Sequence, residues 1–358
     1  MGNVKDMFSK AIIYELGDKL KKVYEDFPKE EFVAEVFYDG WEDLELFARL
    51  SHIAKVLDKV LPRDYKKSLE IIYVILPECN EAQAMVFPPY VVEAGIEDIN
   101  QSAQALAKIT QYATCEFAVR TFIDKYPDEM FQILMDWAKS DNEHVRRLAS
   151  EGTRLAIPWG ARLQTVYKKH EYAIPILELL KADSSEYVRK SVGNNLNELS
   201  KVAPELVVSI GHEWMSNGNK NTNQIVKSAC RTLLKKAYPP VMELFGLTKP
   251  KGLSVRLLSA TPEVKLNSDL SFSFEIINEL EEEVKIRIGY DIGFLKSNGK
   301  LNFKENRISE RMCKLGKLVI ERKHKITESS TRKIYPGRHE LKITINGCAM
   351  ADTEFIVK

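Results

Sequence analysis

Several things are missing from this 358-residue chain, and each absence closes off a class of protein. No run of about 18 apolar residues is present to cross a membrane as a helix. Cysteine is scarce: Cys79, Cys115, Cys230, Cys313 and Cys348 are odd in number, widely scattered and form no CxxC pair, which speaks against a disulfide framework or a structural zinc and fits a reducing cytosol. The six histidines, His52, His144, His170, His212, His324 and His339, never fall at HxxxH or HxH spacing, so no metal site is expected. Walker and dinucleotide glycine motifs are absent as well, and no cofactor is expected. The opening MGNVKD lacks a secretory apolar block, and its sixth residue is not the Ser or Thr of a myristoylation site. A cytoplasmic protein is the expectation.

What is present is ordinary in bulk and uneven in distribution. Apolar residues make up 44% and charged residues 29%, which suits a soluble globular chain, and the length suits two or three domains. The net charge of +1 conceals a gradient: −8 over residues 1–100, +4 over 101–250 and +5 over 251–358. Between Arg307 and Lys342 eleven basic residues face four acidic ones. Such a tract is either a polyanion surface or a solvated sheet whose edges are guarded by Lys and Arg.

The hydrophobic period changes near residue 250. Up to Phe245 apolar residues recur at three and four spacings, as in LELFARLSHIAKVLDKVL and PILELLKAD, which predicts helices. From Leu253 onward they alternate, as in SFSFEII and VKIRIGYDIGF, with Asn298-Gly299 and Asn346-Gly347 as hairpin turn signals. The expected organisation is an all-α domain over 1–246, a linker over 247–252 containing TKPKG, and an all-β sandwich over 253–358.

The helical part repeats. VRRLASEGTRL at Val145 realigns with VRKSVGNNLNEL at Val188, 43 residues on, and with VKSACRTLLKK at Val226, 38 further on. Helical pairs of this period resemble HEAT repeats, stacked as a solenoid with the second helices on the concave face. A helical bundle can imitate such spacing by chance.

Glu151 is the most conspicuous acid on this scaffold. It sits between Ser150 and Gly152 on a helix that otherwise reads as buried, and small neighbours suggest clearance for a ligand. Glu116, 35 residues earlier in TCEFAVR, falls about one repeat away, and Glu198 lies one helical turn beyond Asn194, the counterpart of Glu151. Either the three carboxylates converge on one concave surface, or each pairs with a neighbouring arginine such as Arg120, Arg154 or Arg189 in an inter-repeat ladder. Cys115, among apolar residues, reads as core, and Trp41, Trp137 and Trp214 read as packing.

TCEFAVR, VRRLASEGTR followed by PW, YVRKSVGNNLNELSK, YDIGFLKSNG and STRKIYPGRHELKITING occur in an order that strongly resembles the AlkC branch of the DNA alkylation repair glycosylases, in the subgroup with a C-terminal immunoglobulin-like domain. The resemblance implies a HEAT-like solenoid followed by an immunoglobulin-like sandwich. It implies a monofunctional hydrolase, without lyase activity, that excises cationic N-methylated bases from double-stranded DNA: 3-methyladenine foremost, with 3-methylcytosine and 1-methyladenine as further candidates. Glu116 and Glu151 match the acids of the family's CEF and ASEG segments, and Glu198 stands where the family usually has Asp. Trp159 matches a tryptophan near the lesion. LAIPWG replaces a PRLPW-type run and so lacks one basic residue beside the site.

If DNA is the partner, cations must offset the acids. Arg146, Arg147, Arg154, Arg162, Lys168 and Lys169, with Arg332, Lys333 and Arg338 in the β domain, are the candidates for phosphate contact. Tyr167 and Tyr187 join Trp159 as candidates for base stacking. The expected protein is a monomer without an obligate protein partner. Two other classes stay open: a non-catalytic HEAT-repeat binder of damaged or unusual DNA, and a protein-binding scaffold, which would need neither convergent acids nor a basic β domain.

Overall fold

A computed structural model describes residues 4–216, 219–329 and 332–358; Ser330 and Thr331 of the STRKIYPGRH loop lie outside the described residues. Among the described residues seventeen α-helices precede eight strands, an all-α HEAT-like solenoid followed by an immunoglobulin-like sandwich. None of the helices is long and apolar enough to cross a membrane. The chain divides into two compact units, Met1–Ala203 with Glu213–Ala229, and Pro204–His212 with Cys230–Lys358.

In the first unit the helices Phe87–Gly95, Glu116–Lys125, Glu143–Gly152, Glu186–Leu199 and Lys220–Ala229 form one layer, each packed on the next, while Ile99–Ile109, Pro127–Trp137 and Ile174–Leu180 back that layer. The repeated Val-Arg signature has a physical cause. Val145 and Val188 are each the third residue of their helix and are buried between layers. The arginine that follows reaches back to the preceding turn: Arg146 Nη1 donates to the carbonyls of Ser140 and Asp141, both at 2.9 Å, and Arg189 Nη1 to those of Asp183 and Ser184 at 2.8 and 2.7 Å. Arg146 also grips the Asp183 carboxylate of the next repeat at 2.7 and 3.0 Å. Carbonyl oxygens left without helical partners are thereby satisfied, and successive repeats are tied together.

The third copy of the repeat is one turn out of register with the sequence alignment. The third residue of Lys220–Ala229 is Thr222, not Val226, and its hydroxyl donates to the Lys181 carbonyl at 2.9 Å. A slip of four residues keeps the same helix face, so the apolar pattern alone does not detect it.

The second unit is built on β1 (Leu253–Ala260), β2 (Glu263–Val264), β3 (Asp269–Asn278), β4 (Val284–Leu295), β5 (Leu301–Cys313), β6 (Gly316–Lys325), β7 (Gly337–Ile345) and β8 (Cys348–Val357). They form a three-stranded sheet, β1-β3-β6, and a five-stranded sheet, β2-β8-β7-β4-β5, antiparallel except for the β2–β8 pair. Alternation turns Phe272, Phe274 and Ile276 of β3 and Ile286 and Ile288 of β4 into the core. Asn346 and Gly347, with φ of 50° and 76°, make the tight β7–β8 hairpin that their pairing predicts. Asn298-Gly299 instead lies in a longer loop, closed by Gly299 N–H donating to Lys296 C=O at 3.0 Å.

The segment before β1 is packed rather than free. Lys285 Nζ donates to the Phe245 carbonyl at 3.0 Å, and Asn346 Nδ2 to that of Thr248 at 2.7 Å. The helices Arg231–Lys235 and Pro239–Leu244 thus belong to the same compact unit as the sandwich.

Candidate active site

Glu116 and Glu151 do not hold equivalent places on their helices, yet they meet. Glu116 is the first residue of Glu116–Lys125, where a carboxylate complements the helix dipole, whereas Glu151 is the ninth of Glu143–Gly152. An axial offset between the stacked helices brings them to one cleft of about 540 Å³, in which Arg147, Arg154 and Trp159 also take part. Its walls are largely apolar, with Phe47, Pro88 and Phe117 among them.

The two acids are joined by arginines. Arg147 Nη1 lies 3.1 Å from Glu116 Oε2 and Nη2 4.0 Å from Glu151 Oε1. Burial opposes charge on this guanidinium, but Glu116 and Glu151 more than offset it and hold its pKa above the ordinary arginine value. Glu151 Oε1 also accepts from Arg154, and its Oε2 accepts from the Ser191 hydroxyl of the next repeat at 2.6 Å. Both oxygens of Glu151 are therefore oriented, at 5% exposure of the residue. Arg154 Nη2 reaches on to Glu198 at 3.9 Å, and Lys201 closes the row with Glu198 at 2.7 Å. The result is a chain of alternating charge across three helices.

Glu198 belongs to this chain but is not among the residues that line the cleft. The expected partners of the acids were also only partly right. Glu116 pairs with Arg147, while Arg120 and Arg189 bind backbone carbonyls.

The small residues beside Glu151 serve packing, contrary to the expectation of clearance. Ser150 is fully buried, 3.0 Å from Ser191 Oγ, and its carbonyl accepts from Asn195 Nδ2 at 2.7 Å. A Cβ added at Gly152 would stand 2.6 Å from Val119 Cγ1. Stacked inner helices approach so closely here that larger side chains do not fit. The cleft is walled instead by residues such as Phe47, Pro88 and Phe117 and, from the loop that follows the helix, by Ile157, Pro158 and Trp159.

That loop carries Trp159 on a tight turn. Gly160 N–H donates to Ile157 C=O at 3.1 Å, with Pro158 and Trp159 at the two central positions. Trp159 has φ of 61°, which a type II turn requires at its third residue and which normally selects glycine. A side chain in this region costs about 1–2 kcal/mol. Trp159 is nonetheless 79% exposed, so no burial of the ring offsets that strain.

The remaining candidates are dispersed. Arg146 is held by Asp183, as described; Arg162 stacks on Tyr167 at 4.8 Å, and Lys168 and Lys169 are exposed. Tyr187 is half-exposed beneath the Arg147 guanidinium at 5.1 Å. In the second unit Arg332 lies over Phe294 at 4.4 Å, Lys333 is exposed over Tyr335 at 5.6 Å, and Arg338 pairs with Glu354. Arg307, Arg311, Lys317, Arg322 and Lys323 lie exposed along β5 and β6. Cys115 is fully buried, and burial pushes its thiol well above the usual value. Trp41 and Trp214 are core residues.

Sequence reasoning missed Ser191 and Asn195. Their signal was polarity at positions that the apolar period buries.

Residues 82–233 match the family model described as "DNA alkylation repair enzyme", and residues 254–358 match that described as "Uncharacterised protein YhaZ, C-terminal Ig-like domain". The two matches together define a DNA alkylation repair solenoid joined to an immunoglobulin-like sandwich. Over 359 residues the chain is 34% identical to Uncharacterized protein YhaZ of Bacillus subtilis (strain 168), covering 100% of both. It is also similar to Pseudomonas fluorescens alkylpurine DNA glycosylase AlkC, solved bound to DNA containing an abasic site analog, with 31% identity, a TM-score of 0.93 and 100% of each chain covered. The chain belongs to the AlkC family of DNA alkylation repair proteins, in the subgroup with a C-terminal immunoglobulin-like domain.

Proposed function

We propose that the protein is a monofunctional DNA glycosylase of base excision repair, hydrolysing the N-glycosidic bond of cationic N-methylated bases in double-stranded DNA, 3-methyladenine foremost, with 3-methylcytosine and 1-methyladenine as further substrates. The observation that carries this reading is the pair Glu116 and Glu151 in one apolar-walled cleft with an exposed tryptophan. A base that already bears positive charge leaves as a neutral molecule and needs no acid to protonate it. The protein has only to stabilise the oxocarbenium character that develops at C1′ and to guide a water to it.

Glu151, oriented through both oxygens, suits stabilisation of the sugar cation, and Glu116 suits orientation of the attacking water. Glu198 acts at one remove, by holding Arg154 against Glu151. No lysine is found among the described residues lining the cleft, which favours water as the nucleophile over a Schiff-base lyase step. Trp159, exposed and lining the cleft, suits contact with the lesion or the gap it leaves. Exposed Arg162, Lys168, Lys169 and Lys333 suit phosphate contact better than Arg146, Arg147 and Arg154, whose charges are taken up by buried carboxylates; Arg338 pairs with Glu354, but in solvent.

The pairing of both acids with arginines favours a second reading, a non-catalytic HEAT-repeat protein that binds damaged or unusual DNA. Incubating the protein with methylated duplex DNA and identifying the free bases separates the two. Release of 3-methyladenine that Glu151→Gln slows by orders of magnitude supports catalysis; DNA binding with no base released from any methylated substrate supports the binder.

A further inference from the structure

Arg120 is buried on the Glu116–Lys125 helix and, among the described residues, forms no ion pair. Its guanidinium is spent on main-chain carbonyls. Nη1 donates to Arg154 C=O, and Nη2 to Ala161 C=O and, at 3.5 Å, to Leu155 C=O. Arg154 and Leu155 lie on the limb that enters the Trp159 loop; Ala161 lies on the limb that leaves it. Leu163 N–H donates to Leu155 C=O at 2.9 Å and closes the same base. The turn at the tip holds a tryptophan in a backbone region that L-residues avoid, so something other than local preference must keep it there. A Cβ at Gly160 would stand 2.5 Å from Ile157 Cγ1, which leaves the turn little freedom to rearrange while its base is held.

We propose that Arg120 is a positioning residue for Trp159: its planar fork clamps both limbs of the 154–161 loop and fixes the indole at the mouth of the cleft. The proposal rests on the reading of the cleft as a glycosylase site for its effect on rate, though not for its effect on the loop. Lysine keeps the charge but offers a single ammonium that cannot span two limbs in the plane of a guanidinium.

The test uses the full-length protein as wild type, Arg120→Lys, Arg120→Gln, Trp159→Ala and the Arg120→Lys/Trp159→Ala double variant, with thermal unfolding to identify folded proteins. Acrylamide quenching of tryptophan fluorescence is measured in each Arg120 background with and without Trp159→Phe, so that the difference isolates Trp159. Arg120→Lys should change the quenching of Trp159 and lower single-turnover base release by about tenfold to a hundredfold. Trp159→Ala should lower it similarly, and the double variant should be no worse than the more impaired single one. Should Arg120→Gln not fold, Arg120→Lys decides alone. Unaltered Trp159 quenching in Arg120→Lys, or losses that multiply in the double variant, overturns the proposal. If the wild-type protein releases no base, the glycosylase reading falls while the quenching arm still decides the role of Arg120.

Discussion

In the helical unit Glu151 and Arg154 are almost fully buried and face each other, whereas along β5 and β6 of the sandwich the basic residues stand in solvent around an apolar core. The first arrangement withdraws charges from water and must satisfy each one: Glu151 through Arg154 and Ser191, Glu116 through Arg147. The second leaves them hydrated, where salt screens them and neighbours matter little. Buried charge of this kind seldom stabilises a fold more than apolar packing of the same volume would. The two regions therefore handle the same residue types in opposite ways, one by pairing and the other by hydration.

The largest expected break in this contrast comes from Glu151→Gln. It should slow base release by a factor on the order of 10²–10³, as loss of one electrostatic group typically does, measured in single-turnover reactions on methylated DNA. Next comes Gly152→Val, which sets packing against clearance. The added side chain collides with Val119 and should lower stability by about 1–3 kcal/mol in denaturant unfolding; an unchanged midpoint with impaired activity would restore the clearance explanation.

Ser191→Ala removes one orienting bond from Glu151 and should cost about 1 kcal/mol in unfolding free energy, with a fall in release rate smaller than that of Glu151→Gln.

The sandwich should lose stability as the pH falls. His339 is fully buried, with Nε2 3.0 Å from the Tyr335 carbonyl, and His324 Nδ1 lies 2.9 Å from Tyr290 Oη. Burial lowers the pKa of both below the usual 6.5, and Arg332 and Lys304 add to the effect at His324. The unfolded chain then binds protons more readily than the folded one. This contribution is complete above pH 6.5 and is lost as the pH falls from there through the lower folded values. Unfolding followed between pH 8 and 5 should show the decline, and His339→Gln should flatten it. The smallest effect is expected from Lys333→Ala with Arg338→Ala: stability within about 0.5 kcal/mol of wild type, and a salt slope of DNA binding reduced by about one for each phosphate no longer neutralised.

Much of this was legible without coordinates because periodicity and repetition are properties of the chain. The switch from spacing of three and four to alternation near Leu253 marks the change from helices to sandwich. The Val145 and Val188 copies fall at the same place on their helices, and Asn346-Gly347 turns as its residues demand. The third copy slipped by one turn because a four-residue shift preserves a helix face. Glu116 and Glu151 were recognisable as acids one repeat apart, and the resemblance singled them out.

The order of elements follows from local spacing, and the resemblance carried by the sequence motifs singles out the acids. How those acids are held depends instead on packing between helices. The offset that joins the first residue of one helix to the ninth of the next, and the arginines between them, depend on how stacked helices slide past one another. That sliding is set by close approaches such as Gly152 on Val119 and Ser150 on Ser191, between residues far apart in the chain. The same approaches explain why the small neighbours of Glu151 mark a tight helix crossing.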